Sequence, residues 1–318
     1  MNVLHQPDII EKVFDFLQIV DLYQCQYVCR AWNEAAIWRL RKCPPINKCQ
    51  LDFSPQEWNA VINSNEPSVK NRLPFGYPTI VVKQELVGLC SQFASEILGT
   101  PLRMPEAIKD PFDWGPKKPP IELHHEGFCI NRHAANCKIT VTNWSDPQSA
   151  RPDLKSTECP VKSLIYLATP SEVYSHSTRK IRSFVQESNL VLSGGLLLDN
   201  SKIFVNHVEK CNFKAIAKIS IAFAGKKVKS SLHMIKKPAI MQRELEEFRS
   251  KLKFPLDNNR TIGFLMYSGF GWEPFAKFSS RASKVFPEIA FTRINFSKLI
   301  TSNQVKNMRG LVIHLVQF

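Results

Sequence analysis

Apolar positions in the first forty residues recur at helical spacing. Ile9, Ile10, Val13, Phe14 and Leu17 form one stripe. Pro7 suits a first helical position, where its missing N–H costs nothing, and Asp8 and Glu11 lie where the helix dipole favours negative charge. A second stripe follows: Leu22, Cys25, Val28, Cys29, Trp32, Ala36 and Leu40. Asp21 and Gln24 match a capping box before it, and Arg39, Arg41 and Lys42 end it ahead of Pro44-Pro45. The pattern predicts an all-α segment of about three short helices over 1–43. Residues 44–78 read as a partly structured, proline-punctuated linker, with a short helix over "SPQEWNAVI".

Beyond residue 78 the period alternates between about two and about 3.6. "TIVVKQ" reads as a strand and "ELVGLCSQFASEIL" as a helix. "EGFCINRHAANCKITVTNW" reads as a strand, a turn and a returning strand. "VKSLIYLAT" and "NLVLSGG" are strands, with "STRKIRSFVQES" an amphipathic helix between them. "AIAKISIAFAGKKVKSSLHMI" reads as a hairpin turning at Gly225-Lys226. "PAIMQRELEEFRSKL" and "EPFAKFSSRASKVF" are helices; "RTIGFLMYSGFG", "EIAFTRINF" and "GLVIHLVQF" are strands. The fold class is α+β: a small helical unit, then a mixed α/β body with several sheets, divided at about residue 237 into 79–237 and 238–318.

Composition adds little until the two apolar stripes are weighed against it. The chain has 318 residues, enough for a large domain beside a small one. A forty-residue unit has little interior to offer, yet its stripes are broad. Burying one large apolar side chain contributes roughly 1.5–3 kcal/mol, so the surplus needs cover, either from the rest of the chain or from another protein. Nine scattered cysteines with no C-x-x-C pair suggest reduced thiols, in the cytoplasm or the nucleus. The first residues lack a secretory pattern, and no run approaches the roughly eighteen apolar residues of a membrane span. The net charge of +14 lies almost wholly after residue 50, which favours an acidic partner of the body.

The segment "QPDIIEKVFDFLQIVDLYQCQYVCRAWNEAAIW" resembles an F-box. Pro7, Ile9, Ile10, Val13, Phe14, Leu17, Asp21, Leu22, Val28, Cys29, Arg30 and Trp32 stand at the positions of that family's pattern, with Gln6 where the family usually has leucine. The resemblance implies docking on a Skp-type adaptor, and through it on a cullin and a RING subunit. It assigns the docking face to Pro7, Ile9, Ile10, Val13, Phe14, Leu17, Leu22, Val28, Cys29 and Trp32. The body resembles FIST domains in the blocks "NLVLSGGLLLDN", "IAKISIAFAGKKVKSSLHMI" and "NNRTIGFLMYSGFGWEPFAKFSSRASKVFPEIAFTRINF". Its markers are Gly194-Gly195, Thr261-Ile262-Gly263-Phe264 and Gly269 with Gly271. The "MYSGFGW" turn lacks the family's cysteine, and the C-terminal part is shorter than in that family.

Other candidate chemistry is weak. His125, Cys129, His133 and Cys137 recur every four residues, but strands would spread them too far apart to share a metal. Gly269-Phe270-Gly271 is neither a dinucleotide fingerprint nor a phosphate loop, so no cofactor is expected. Lys226, Lys227 and Lys229 are not interleaved with aromatics, which argues against nucleic acid. No RING spacing occurs, so the chain is not expected to recruit a ubiquitin-conjugating enzyme itself. The reading is a non-catalytic substrate receptor of an SCF-type ubiquitin ligase, with no membrane association, that holds a target protein through its body. The competing readings are a small-ligand sensor built on the FIST-like body and an enzyme with an accessory helical segment.

Overall fold

The computed structural model describes residues 7–17, 19–43, 46–48, 79–87, 121–131, 133–134, 137–146, 152, 156–169, 190–198, 201–206, 213–235, 237–257, 260–269, 272–289, 291–302, 304–308 and 310–318. The helices expected over 54–62 and 177–188, and the part of the 85–98 helix after residue 87, lie outside them.

Three helices open the chain: α1 (Pro7–Phe14), α2 (Ile19–Cys25) and α3 (Arg30–Lys42). Asp21 lies in the first turn of α2, not before it. The second stripe breaks into two helices because Cys29 is extended, with φ −163° and ψ 172°. The three helices bury Ile10, Phe14, Leu22, Tyr23, Cys25, Ala36 and Leu40 against one another, and Phe14 meets Trp32 edge to face at 5.4 Å.

The body is built on two sheets. Its strands are β1 (Ile46–Lys48), β2 (Thr79–Val87), β3 (Ile121–Ile130), β4 (Lys138–Asn143), β5 (Val161–Ala168), β6 (Val191–Leu197) and β7 (Lys202–Asn206). There follow β8 (Phe213–Ile216), β9 (Lys218–Ala224), β10 (Lys229–Ile235), β11 (Thr261–Ser268), β12 (Phe291–Thr301), β13 (Gln304–Met308) and β14 (Gly310–Gln317). Helix α4 (Met241–Ser250) precedes β11, and α5 (Trp272–Val285) carries the chain from β11 to its parallel neighbour β12. The five-stranded sheet runs β1-β3-β2-β7-β8. The nine-stranded sheet runs β10-β14-β11-β12-β6-β5-β9-β4, with β13 on β12. Strands from either side of residue 237 share this larger sheet.

Both expected hairpins are corrected. β3 and β4 follow one another in sequence but lie in different sheets: β3 pairs with β1 and β2, β4 with β9. β9 and β10 do not pair either, although Lys226 and Lys227 do form a turn between them. Both edges of β9 are taken, by β4 and β5, so β10 crosses to β14. Glu85–Val87 continue β2 against β3 where a helix was expected to begin. The run "AIAKISIAFA" is two strands. It bends at Ala217, where the chain leaves the smaller sheet for the larger.

The large sheet is buried on both faces. One face gathers Ile165, Ile221, Phe264, Met266, Ile294 and Val312. Alternate residues of β11 and β14 face α4 and α5, packing Leu265, Tyr267 and Ile313 against Leu245, Phe248, Phe278 and Phe286. The sheet also curls. β14 and β6 are separated by two strands in the pairing order, yet Nδ1 of His314 on β14 lies 2.5 Å from the Ser193 hydroxyl on β6. Close approach at β6 requires glycine: a Cβ on Gly194 would sit 1.9 Å from the Tyr166 carbonyl oxygen, and one on Gly195 2.0 Å from that of Lys298.

Candidate functional site

Uncovered apolar surface among the described residues lies on the helical unit. Among the described residues, the exposed large hydrophobics are Ile9, Val13, Phe16, Tyr27, Val28 and Trp38, all within the three-helix unit. Phe16 is 89% exposed and Val28 61%. The described residues of the body cover their large apolar groups; the small unit leaves several uncovered, which is the pattern of a binding surface and not of scattered solvent-exposed leucines.

The structure divides the residues expected to dock. Ile9 and Val13 on α1 and Val28 before α3 face solvent. Ile10, Phe14 and Leu22 are buried inside the unit, where they set the helix positions. Leu17, Cys29 and Trp32 are half-buried at the boundary between these groups. Pro7 begins α1. Phe16, Tyr27 and Trp38 were not among the residues expected from the sequence. Phe16 stands two positions from Phe14, off the apolar stripe, and an aromatic residue on an otherwise polar face was the signal that could have found it. Trp38 carries Lys42 one helical turn away, with the ammonium 3.0 Å from the ring centroid.

Charges at this surface are modest. Arg30 pairs with Glu34 at 2.9 Å along exposed α3, and Arg39 reaches Asp15 at 3.2 Å, tying α3 to the end of α1. Burial raises the pKa of Cys25, with Asp21 adding to the effect, and burial likewise raises that of Cys43. Neither thiol is primed for nucleophilic attack.

Among the described residues, buried Asn131 ties the unit to the body. Asn131 follows directly on β3. Its amide nitrogen donates to the Leu40 carbonyl at 2.8 Å and, at 3.5 Å, to that of Cys43. Its amide oxygen accepts from the Tyr23 hydroxyl at 3.1 Å and from the His133 backbone N–H at 3.0 Å. Sequence reading gave no sign of this contact, because Asn131 lies 88 to 108 positions from its partners in the helical unit.

The four-residue His/Cys series does not gather. His125 and Cys129 are four residues apart along an extended strand, a separation of about 13 Å. Cys137 lies in the body core, where burial pushes its thiol up to about 12. Among the described residues no three His, Cys, Asp or Glu side chains are placed to hold a metal ion. The Ser163, Ser193 and Ser230 hydroxyls meet the His314 ring at 2.9, 2.5 and 2.7 Å. That histidine is completely buried, so the cluster braces strands and is closed to a substrate. No described helix is long and apolar enough to cross a membrane.

The three-helix unit combines its own buried core with an uncovered apolar surface. The F-box-like family model matches residues 7–41, so the N-terminal unit is an F-box-like domain. An F-box implies binding to a Skp-type adaptor. No curated protein matches the chain.

Proposed function

We propose that this protein is a substrate receptor of an SCF-type cullin–RING ubiquitin ligase. Its F-box-like unit docks on a Skp-type adaptor, and its body presents a target protein for ubiquitination and proteasomal degradation. The single observation that carries this reading is the confinement of the exposed large hydrophobics of the described chain to the segment that matches the F-box family. Ile9, Val13 and Val28 make the apolar contact, Leu17, Cys29 and Trp32 extend it, and Pro7 with Ile10, Phe14 and Leu22 holds the helices that display it. The receptor itself is non-catalytic. It accelerates transfer by holding target and ubiquitin-loaded enzyme together, which converts a bimolecular encounter into a local one.

The body is read as FIST-like and as the target-binding part. Gly194 and Gly195, two carriers of that resemblance, have φ of 128° and 152° and sit between crowded strands, which supports a shared requirement for a bare backbone there. An acidic target suits the distribution of charge. Strand register brings Lys138 opposite Ala224, and Lys162, Lys226, Lys227 and Lys229 lie at the same end of the large sheet, all exposed. No exposed Phe, Tyr or Trp accompanies them among the described residues of the body, so stacking of nucleic-acid bases has no platform there.

The test is direct binding of purified adaptor to the full chain and to a variant carrying Val13→Glu and Val28→Glu. These positions are exposed, so the fold should persist by circular dichroism, while two buried charges weaken binding by about a hundredfold or more. Unchanged affinity in a folded double variant would remove the docking assignment.

A further inference from the structure

Two linked domains in one chain ordinarily move relative to each other unless their interface is large and apolar. Here the covalent link is short: α3 ends at Lys42, and after two prolines the chain is already β1, paired with the end of β3 through Ile46↔Ile130, Asn47↔Cys129 and Lys48↔Phe128. A three-residue ladder fixes one line of contact and leaves the helices free to swing about it. Asn131, the residue after that ladder, removes the remaining freedom.

A helix leaves its last carbonyls without intrahelical donors. In α3 the Leu40 carbonyl accepts the Cys43 backbone N–H at 3.1 Å and also the Asn131 amide from across the junction at 2.8 Å. The same side chain holds the Tyr23 hydroxyl on α2, so one amide contacts two helices of the unit while its own backbone belongs to the sheet body. Tyr23 packs its ring on His133 at 5.7 Å between centroids, adding a second contact from α2 to the same loop. Asn131 is 2% exposed, which shields these bonds from exchange with water. A side chain placed to face solvent would need none of these partners. A group buried for packing alone would be apolar.

We infer that Asn131 is a positioning residue: it caps α3 from the body and locks the angle between the docking unit and the sheets. The consequence for a bound target rests on the receptor reading above; the joint itself does not. In a receptor, this angle sets where the target stands relative to the ligase, so a loosened joint would dilute the local concentration of target at the transfer site while leaving both binding events intact.

The experiment places a donor and an acceptor fluorophore at Lys12 and Lys226, both exposed, through site-specific unnatural amino acids in the full chain without partners. The width of the interlabel distance distribution is compared among the unsubstituted protein, Asn131→Leu, Asn131→Asp and Tyr23→Phe. Asn131→Asp keeps the acceptor for Tyr23 and His133 but loses the donor to the Leu40 and Cys43 carbonyls. Both Asn131 variants should broaden the distribution about twofold or more, Tyr23→Phe less, with adaptor affinity within about threefold of the unsubstituted protein. Unchanged widths in both Asn131 variants would overturn the inference. So would loss of adaptor binding in Tyr23→Phe, which would mean that these bonds maintain the docking unit's own fold and not its orientation. Should Asn131→Leu fail to fold, Asn131→Asp and Tyr23→Phe still decide. If no adaptor binds even the unsubstituted chain, the receptor reading fails while the distance widths still report on the joint.

Discussion

His314 shows what a single buried side chain demands of its surroundings. Complete burial pushes its pKa down to about 3, and serines on β5, β6 and β10 hold the neutral ring. Because the folded value lies below the unfolded one, the unfolded chain binds the extra proton between about pH 6.5 and 3. The stability that the neutral ring contributes is therefore complete above about 6.5 and is lost as pH falls through that window. Urea unfolding at pH 7 and pH 5 should show this residue removing about 2 kcal/mol. In His314→Gln that part of the difference should vanish, from a lower starting stability. A pH dependence identical in the two proteins would mean that the ring is hydrated. In sequence, His314 is one polar residue in "GLVIHLVQF". The strand was legible there; its hydroxyl partners, 84 to 151 positions away, were not.

Elements were legible where periodicity ran long enough, and pairing was not. α4, α5, β5, β11, β12 and β14 stand where residue spacing predicted them. β1, β7, β8 and β13, of three to five residues, are too short for a period to register. The two mistaken hairpins share a cause. Alternation marks a strand but says nothing about which of its edges is already occupied, and β9 is taken on both sides before β10 arrives. The amino-terminal helices were legible because their apolar stripes run at helical spacing, but the division between buried and exposed members depended on how three helices cross. Gly194-Gly195 belongs to this scale as well. Both lie in β6 between β5 and β12 at positive φ, with no room for a Cβ. Gly194→Ala should cost more than about 2 kcal/mol in chemical unfolding. A cost within a few tenths would show that the strands can part there.

At the scale of the molecule, apolar and basic surface are segregated. The first fifty residues hold six basic and five acidic side chains, so the excess of +14 belongs to the body, while the exposed apolar side chains of the described residues belong to the helices. The two surfaces can then be altered separately. Lys226→Glu, Lys227→Glu and Lys229→Glu together should weaken capture of an oligo-glutamate peptide by about tenfold at low salt and flatten its salt dependence, with adaptor affinity unchanged. Peptide titrations by fluorescence anisotropy at two ionic strengths would check this. An oligonucleotide bound more tightly than the peptide would turn the basic end towards nucleic acid.

β14 follows every other described strand, yet it inserts between β10 and β11, one place in from the β10 edge of the order. During synthesis β10 and β11 emerge before the strand that joins them, so that part of the large sheet keeps a vacant slot with two raw borders until β14 arrives. A polypeptide interrupted before Gly310 would thus carry the three amino-terminal helices on a body whose strands β10 and β11 have lost the neighbour that joins them.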